Sequence, residues 1–266
     1  MSNKYGILLN SNDFSDNIDV VDTILNLIRE GIYDFVQLMA IPGSYNDVHA
    51  VVSEKMKGID TVIHAPHFLR RIDPGNRELE SSNLKKLEDS QKFADLLNSE
   101  IIVLHPGLGD GEQYLEESIR QFKLLNDSRV AVENLPYYPR PNCKMHGTTP
   151  KHIKKIISEV GCKFCFDFAH AICACNSLNL DRYKTFFDFI KLNPTIYHLS
   201  DGDISATVDT HLHLTKGNYD LKRIFNDFLP QNSIVTLETK DENRSDIRPW
   251  INNVTIARKL ESRTVI

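Results

Sequence analysis

The chain has 266 residues, of which 41% are hydrophobic and 25% are charged, and its formal net charge is −5. These values are typical of a globular protein with a large core, and they give no overall basic signal for nucleic acid, although a net charge says nothing about a local basic patch. No stretch approaches the 18 apolar residues of a membrane span, and the N-terminus lacks the apolar segment of a signal peptide. We therefore expect a cytoplasmic protein with no membrane partner.

The five cysteines are an odd number, which argues against a complete disulfide framework. Cys162 and Cys165 have the spacing of some metal and redox motifs. Both lie in an apolar run that is typical of a strand, where odd and even positions face opposite sides. We interpret them as small, buried apolar side chains.

Eight short apolar runs have the length of β-strands. They are Tyr5–Leu9, Phe35–Met39, Thr61–Ala65, Ile101–His105, Arg129–Glu133, Lys163–Asp167, Thr195–Leu199 and Ser233–Glu238. Segments with helical signals separate them: a helix that Asp16 caps and Gly31 closes, then Asp47–Lys57, Glu78–Asn98, Glu112–Asn126, Pro150–Val160, Leu180–Leu192, Tyr219–Phe228 and Pro249–Leu260. Apolar strands that alternate with helices indicate a parallel sheet with both faces covered.

Eight βα units in about 250 residues predict a TIM barrel, an α/β fold of (β/α)8 architecture. No linker, low-complexity segment or charge run divides the chain, so we expect residues 1–266 to form a single domain. In this fold the catalytic groups come from the C-terminal ends of the strands and from the loops after them. Functional side chains of this protein should therefore meet at one mouth.

Side chains that bind metals stand at or after six strand ends. The candidate ligands are His64, His105, Glu133, Asp167, His170, His198, Asp209, His211 and Glu238. Five imidazoles and four carboxylates exceed the four ligands of one zinc ion, so we expect two or three ions. Mixed nitrogen and oxygen ligands favour zinc or manganese over calcium or magnesium. We assign no metal role to the other five histidines, among them His67.

Asp209 and His211 are two positions apart in the loop after the seventh strand. An extended segment would point both side chains the same way. With His170 they would form a third metal site, beside two sites formed by the remaining candidate ligands. Clustered ions suit displacement at phosphorus, because they stabilise both the entering and the leaving oxygen.

The ordered set resembles the endonuclease IV family, which is AP endonuclease family 2 of the xylose-isomerase-like TIM barrel superfamily. The matching pieces are His64-Ala-Pro, His105-Pro-Gly, Val132-Glu133-Asn134, Asp167-x-x-His170, His198-Leu-x-Asp201, Val208-Asp209-x-His211 with Gly217-Asn218, and Leu237-Glu238-Thr239. Each piece is weak alone, but the ordered set is specific. Single-metal sugar isomerases of the superfamily usually lack the Asp-x-His loop and the two early histidines.

The resemblance implies a hydrolase with three zinc ions. His64, His105 and Glu133 would hold the first; Glu133 would bridge to a second on Asp167, His198 and Glu238; and His170, Asp209 and His211 would hold the third. A hydroxide between the first two ions would attack a phosphodiester, with Glu238 orienting or deprotonating it, and the third ion would stabilise the leaving 3′-oxygen. Glu133 and Glu238 are thus the implied catalytic residues, and DNA with an abasic site is the implied partner.

The chain departs from the family pattern in its loops. Phe168-Ala169 stands where the family usually has Thr-Cys or Thr-Ser, and the loop after Glu133 lacks the family's Gly-rich, phosphate-contacting stretch. We therefore expect this chain to share the family's metal chemistry more fully than its recognition of DNA. Basic residues of the predicted mouth loops are candidates for phosphate contacts: Arg70, Arg71, Arg77, Arg140 and Lys144.

Two alternatives stay open at this point. A sugar or sugar-phosphate isomerase or epimerase would use one divalent metal on Glu133, Asp167, His198 and Glu238. A small phosphorylated sugar would then be the substrate, and a facing carboxylate would remove a proton from the bound hydroxyketone. The third reading is a barrel that binds metal but has lost catalysis.

Overall fold

The computed structural model describes residues 2–240 and 246–262. Within them, eight parallel strands form a closed barrel in which neighbours in sequence pair with each other and the last strand pairs with the first. The strands are β1 (Lys4–Asn10), β2 (Phe35–Met39), β3 (Thr61–His64), β4 (Ile102–Leu104), β5 (Val130–Glu133), β6 (Lys163–Asp167), β7 (Ile196–Leu199) and β8 (Ile234–Leu237). The predicted (β/α)8 TIM barrel is confirmed.

Helices surround this barrel. They are α1 (Asp13–Asp16), α2 (Ile18–Arg29), α3 (Tyr45–Lys55), α4 (Glu80–Leu97), α5 (Glu112–Leu125), α6 (Pro150–Val160), α7 (Phe168–Leu178), α8 (Arg182–Ile190), α9 (Leu221–Arg223) and α10 (Arg248–Ser262). Short 3₁₀ turns at Phe68–Arg70 and Arg77–Leu79 follow β3, and a π-helical turn, Ile224–Phe228, continues α9. In the part of the chain that the structure describes, each helix is too short or too polar to cross a membrane.

Three details of the helix prediction are wrong. Asp16 does not cap the first long helix: it ends α1, and Asn17 precedes α2. The segment predicted to begin at Leu180 begins at Arg182, because Asp181 caps it by accepting a hydrogen bond from the Lys184 backbone N–H at 2.7 Å. The segment Tyr219–Phe228 is only the short α9 and its π-helical turn.

Helix α7 is absent from the sequence prediction. Asp167 is both the last residue of β6 and the N-cap of α7, since its Oδ1 accepts a hydrogen bond from the His170 backbone N–H at 2.6 Å. Strand and helix therefore meet without the loop residues that would mark a boundary. This junction places His170 in the first turn of a buried helix, directly above the end of β6.

Side chains alternate between the two faces of the barrel wall. Those that point outward, such as Ile63, Val132 and Phe166, pack against the helices in the large core. Those that point inward low in the barrel form a second, smaller apolar cluster of Phe35, Val62, Ile101, Val103, Ala131, Cys165 and Ile196. Cys162 belongs to the outer core and Cys165 to the inner cluster, so both are buried on opposite faces, as predicted. All five cysteines are free.

Candidate metal centre

All nine predicted ligands meet at the C-terminal mouth of the barrel. Their donor atoms form groups in which all atoms lie within 4.8 Å of one another, and three of these groups together contain all nine: His64, His105 and Glu133; Glu133, Asp167, His198 and Glu238; and His170, Asp209 and His211. A further group, His64, His198 and Glu238, overlaps the first two. The three groups match the division that the family resemblance implies. Glu133 is the member that two of them share.

Glu133 lies at the centre of the cluster, at the end of β5, with its side chain fully buried. Its Oε2 is 3.3 Å from His64 Nε2 and 3.0 Å from His105 Nε2. Its Oε1 is 3.1 Å from His170 Nδ1 and 3.3 Å from His198 Nδ1. Oε2 therefore faces the two imidazoles of the first group, and Oε1 faces His198 of the second group, so the two oxygens of Glu133 are turned toward different groups.

The second group surrounds His198 at the end of β7. Its Nδ1 is 2.7 Å from Glu238 Oε2 and 4.0 Å from Asp167 Oδ2, in addition to its contact with Glu133. The ends of β5 and β6 are held together by Asn134, whose side-chain N–H donates to Asp167 O and whose Oδ1 accepts from Asp167 N, both at 2.8 Å. Three carboxylates and one imidazole therefore face a common point.

The third group is assembled by a turn and not by an extended segment. The His211 backbone N–H donates to Asp209 Oδ1 at 2.9 Å, and His211 has a left-handed φ of 49°. The prediction of an extended Asp-x-His segment is therefore wrong, although both side chains still face His170. Asp209 Oδ2 is 3.7 Å from His170 Nε2 and 3.3 Å from His211 Nδ1.

Asp201 closes the base of the loop that carries Asp209 and His211. Its Oδ1 accepts from the N–H groups of Gly202 and Tyr219 at 2.8 and 3.1 Å, and its Oδ2 accepts from Gly217 N–H at 3.1 Å. A Cβ atom on Gly217 would lie 2.2 Å from Gly202 O, so only glycine fits there. The two ends of the loop are thus fixed against each other.

Mutual charge controls the protons of the cluster before any ion binds. Burial opposes ionisation of Glu133, but the imidazoles of His198 and His105 outweigh it and hold the pKa of Glu133 well below its usual value. Burial also disfavours charge on His170, yet Asp167 and Glu133 raise its pKa to about 10. Burial raises the pKa of Asp167 to about 7. An arriving metal ion therefore displaces protons from this cluster.

Four of the candidate ligand histidines have a further oxygen acceptor beside one ring nitrogen, which in His170 and His211 is the same Nδ1 that contacts Glu133 or Asp209. His64 Nδ1 faces Ala65 O at 2.7 Å, His170 Nδ1 faces Asn134 O at 2.9 Å, His211 Nδ1 faces Glu238 O at 3.1 Å, and His198 Nε2 faces Gln37 Oε1 at 2.9 Å. Three of these acceptors are backbone carbonyls. The sequence analysis missed Gln37, although it is the one polar residue in the apolar strand β2.

The donor set fits transition-metal ions. His64 Nδ1 lies 2.7 Å from Ala65 O, and its Nε2 lies 3.3 Å from Glu133 Oε2. Neither His64 Nε2 nor Asp209 Oδ2 makes a hydrogen bond within the described residues, although both atoms are buried. An unpartnered buried polar atom costs about 1–3 kcal/mol. A cation bound to each of these two atoms would remove that cost. Imidazole and carboxylate together are a donor set for zinc or manganese.

The cluster opens into a cavity of about 210 Å³. Six of the nine predicted ligands line it, together with His67 and with apolar side chains of the loops after β3 and β5: Phe68, Leu69, Leu135, Pro136, Pro139 and Met145. The predicted phosphate-contacting residues Arg70, Arg71 and Arg140 are exposed and do not line this cavity. Lys144, another predicted phosphate contact, makes an ion pair with Asp110 at 2.9 Å.

Two further residues touch the cluster. The His67 ring stacks on His105 with 5.2 Å between centroids, and burial lowers the pKa of His67 to about 3, so this imidazole is neutral. The Cys165 thiol is grouped with Glu133 and His198. Burial raises its pKa to about 12, so it stays a protonated thiol below the mouth and is a poor metal ligand.

Comparison with known proteins agrees with the fold. The sequence profile described as xylose isomerase-like TIM barrel matches residues 32–260. Endonuclease 4 of Thermus thermophilus is 25% identical over 216 residues, which cover 74% of this chain and 77% of that protein. A D-tagatose 3-epimerase-like protein superposes with a TM-score of 0.76 at 16% identity, covering 98% of both chains.

A further structure of the same fold is the IOLI protein with a bound zinc atom, which has a TM-score of 0.68 at 14% identity and covers 100% of this chain and 98% of that one. At such identities the two structural similarities establish the fold alone. The profile, in contrast, extends from β2 to α10 and includes every candidate ligand. The chain therefore belongs to the xylose isomerase-like TIM barrel family.

Proposed function

We propose that this chain is a metal-dependent phosphodiesterase of the endonuclease IV type, with a centre for two or three zinc ions. The observation that carries the proposal is the third ligand group, His170, Asp209 and His211, beside the two groups that share Glu133. A sugar isomerase needs one such group, whereas clustered ions stabilise both the entering and the leaving oxygen during displacement at phosphorus. Manganese would suit the same donors.

Glu133 and Glu238 are the proposed catalytic carboxylates. Glu133 is fully buried and faces four imidazoles, so its role is to hold and join the first two ion positions. Glu238 lines the cavity with its side chain 15% exposed, and the nearby His198 helps to hold the pKa of Glu238 below its usual value against the effect of burial. An ionised carboxylate at the cavity wall can orient a water molecule and accept its proton.

DNA with an abasic site is the first substrate to test. The similarity to Endonuclease 4 supports it, and so do Arg70, Arg71 and Arg140, which are exposed in the loops after β3 and β5. Exposed arginines can contact phosphates that run across the mouth while the metal centre reaches one phosphodiester inside it. Binding of this kind weakens steeply with salt.

The second candidate is a sugar or sugar-phosphate isomerase or epimerase that uses Glu133, Asp167, His198 and Glu238. The cavity favours it, because about 210 Å³ is below the roughly 300–1,000 Å³ of cavities for drug-sized ligands. The epimerase-like structural relative also supports it. In this reading the loop with Asp209 and His211 only covers the substrate.

The double variant Asp209→Ala with His211→Ala separates the two candidates. In the phosphodiesterase it should bind one zinc ion fewer than the wild type and lose hydrolysis of an abasic-site oligonucleotide, because the leaving oxygen is no longer stabilised. In the isomerase it should keep its metal and its activity on ketoses or their phosphates. The two candidates are separated by elemental analysis after zinc loading, together with the hydrolysis assay and the assay on ketoses and their phosphates.

The matched control is Asp203→Ala with His49→Ala, which removes the same side-chain types from exposed positions outside the ligand groups. It should retain the wild-type metal content. A ligand double variant that also retains the wild-type content would refute the third ion position. A wild type that binds at most one ion after zinc or manganese loading would refute the proposal as a whole.

A further inference from the structure

We infer that Gln37 is a positioning residue of the metal centre, which holds the His198 ring by a hydrogen bond to its Nε2 and so keeps Nδ1 turned toward an ion position. The inference rests on the proposed metal centre. Gln37 lies in the middle of β2 and is fully buried inside the barrel. It is outside every group of candidate ligands.

The geometry around His198 differs from that of the other ligand histidines. His64, His170 and His211 have a backbone carbonyl beside Nδ1. The Nε2 of His198 points into the barrel, where the backbone amides and carbonyls of the strands are already paired with each other. An acceptor at that position must therefore be a side chain, and Gln37 Oε1 supplies it at 2.9 Å.

A second hydrogen bond orients the Gln37 amide. Thr236 of β8 donates its hydroxyl proton to Gln37 Oε1 at 2.7 Å. With the oxygen toward His198, Gln37 accepts the Nε2 proton, so the proton that an arriving ion displaces is the one on Nδ1, which faces Glu238 and Glu133. A reversed amide would place a donor against Nε2 and keep the proton on Nδ1, where it would block metal binding.

Hydrogen-bond partners of metal-binding histidines fix the tautomer and raise the basicity of the ligand, and their loss typically weakens metal affinity by about 10–100-fold. Because His198 is the only imidazole in the group of Glu133, Asp167 and Glu238, the loss of Gln37 should act on that ion position. The ions on His64 with His105 and on His170 with His211 should be affected less.

The test compares zinc affinities of Gln37→Leu and Gln121→Leu, measured by competition with a chromophoric chelator. Gln121 is also a buried glutamine that accepts a side-chain hydrogen bond, from Asn83 Nδ2 at 3.0 Å, but it lies in α5 outside the barrel. We expect Gln37→Leu to weaken one zinc site by about 10–100-fold and Gln121→Leu to leave all sites unchanged. Gln37→Glu, which keeps an acceptor oxygen, should restore most of the affinity.

A second readout is the tautomer itself. Long-range ¹H–¹⁵N spectra of the zinc-loaded wild type should show His198 protonated at Nε2, and Gln37→Leu should show this state reduced. If Gln37→Leu does not fold, Gln37→Met, which keeps an unbranched side chain of similar length, takes its place. Equal affinities of the Gln37 and Gln121 variants, with an unchanged His198 spectrum, would overturn the inference alone. A wild type that binds no zinc would overturn the proposed function and this inference with it.

Discussion

The inside of the barrel has two layers of opposite character, separated by two residues along each strand. The lower layer is apolar, and the upper layer is polar or ionisable. On five strands the pairs are Phe35 and Gln37, Val62 and His64, Ala131 and Glu133, Cys165 and Asp167, and Ile196 and His198. Both layers are almost completely buried, so burial alone does not distinguish the packing layer from the functional one.

The two layers differ in how their contents are stabilised. The lower layer gains free energy from apolar contact and needs no partner outside the protein. The upper layer places several carboxylates and imidazoles within 4.8 Å of one another, where burial makes each unpaired charge or lone pair costly. The lower layer is therefore complete within the protein, whereas the upper layer has the composition of a site for the proposed ions. Three experiments test this difference.

The largest effect is expected from Glu133→Gln in the upper layer. Two ligand groups share this carboxylate, so the variant should lose both ions that depend on it, as measured by elemental analysis. Hydrolysis should fall on the order of 10²–10³-fold or more, since such ions contribute several kcal/mol to the transition state. Glu54→Gln, at an exposed position of α3, is the control and should behave as the wild type. Wild-type metal content in Glu133→Gln would contradict the shared role.

The second experiment is Ile101→Ala in the lower layer. The residue is 6% exposed and belongs to the inner apolar cluster, four positions before His105. Its truncation should reduce the free energy of unfolding by about 2–5 kcal/mol, measured with urea in the presence of a chelator. The zinc content and affinity of the folded variant should not change. A variant with normal stability and reduced zinc content would invert the assignment of the two layers.

The smallest effect is a dependence of metal affinity on pH. The pKa of His170 is about 10, so at pH 7 this ring holds a proton that zinc must displace. Affinity should therefore increase with pH by about tenfold per unit for each proton released, until the pH reaches the pKa of the group. Calorimetry of zinc binding in two buffers of different ionisation enthalpy counts these protons. His170→Ala should release fewer protons than the wild type, and an equal count would contradict the role of His170.

Much of this arrangement is readable from the sequence because parallel strands of a closed barrel are apolar on both faces. A histidine or carboxylate at the end of such a run, as in His64 or Glu133, departs from that pattern at the place where the fold exposes function. Gln37 also interrupts an apolar run, but it lies in the middle of its strand with apolar residues on both sides, and not at the strand end. A single amide in the middle of a strand becomes informative only when its register with His198 is known.

Other features were beyond sequence reasoning for identifiable physical reasons. The start of α7 is hidden because Asp167 ends a strand and caps a helix with the same side chain. The turn at His211 has a left-handed backbone, which is uncommon for residues other than glycine, and the Asp-x-His pattern gives no sign of it. Arginines of the predicted mouth loops, such as Arg140, are exposed. A sequence does not reveal which exposed cations line a cavity.

The loop that Asp201 closes enters and leaves the barrel at a single point, since Asn218 N–H also donates to Gly202 O at 2.8 Å. A segment anchored in this way is an insertion in the architectural sense, although its middle also contacts the barrel: His211 O accepts from Lys240 N–H at 2.7 Å, and Leu214 N–H donates to Asn253 Oδ1 at 3.0 Å. The entropy cost of closing such a segment increases only slowly with its length. Two of the three side chains proposed for the third ion position, Asp209 and His211, therefore belong to a segment that is separate from the strands. An exchange of this segment would alter that proposed position while the lower layer stays the same.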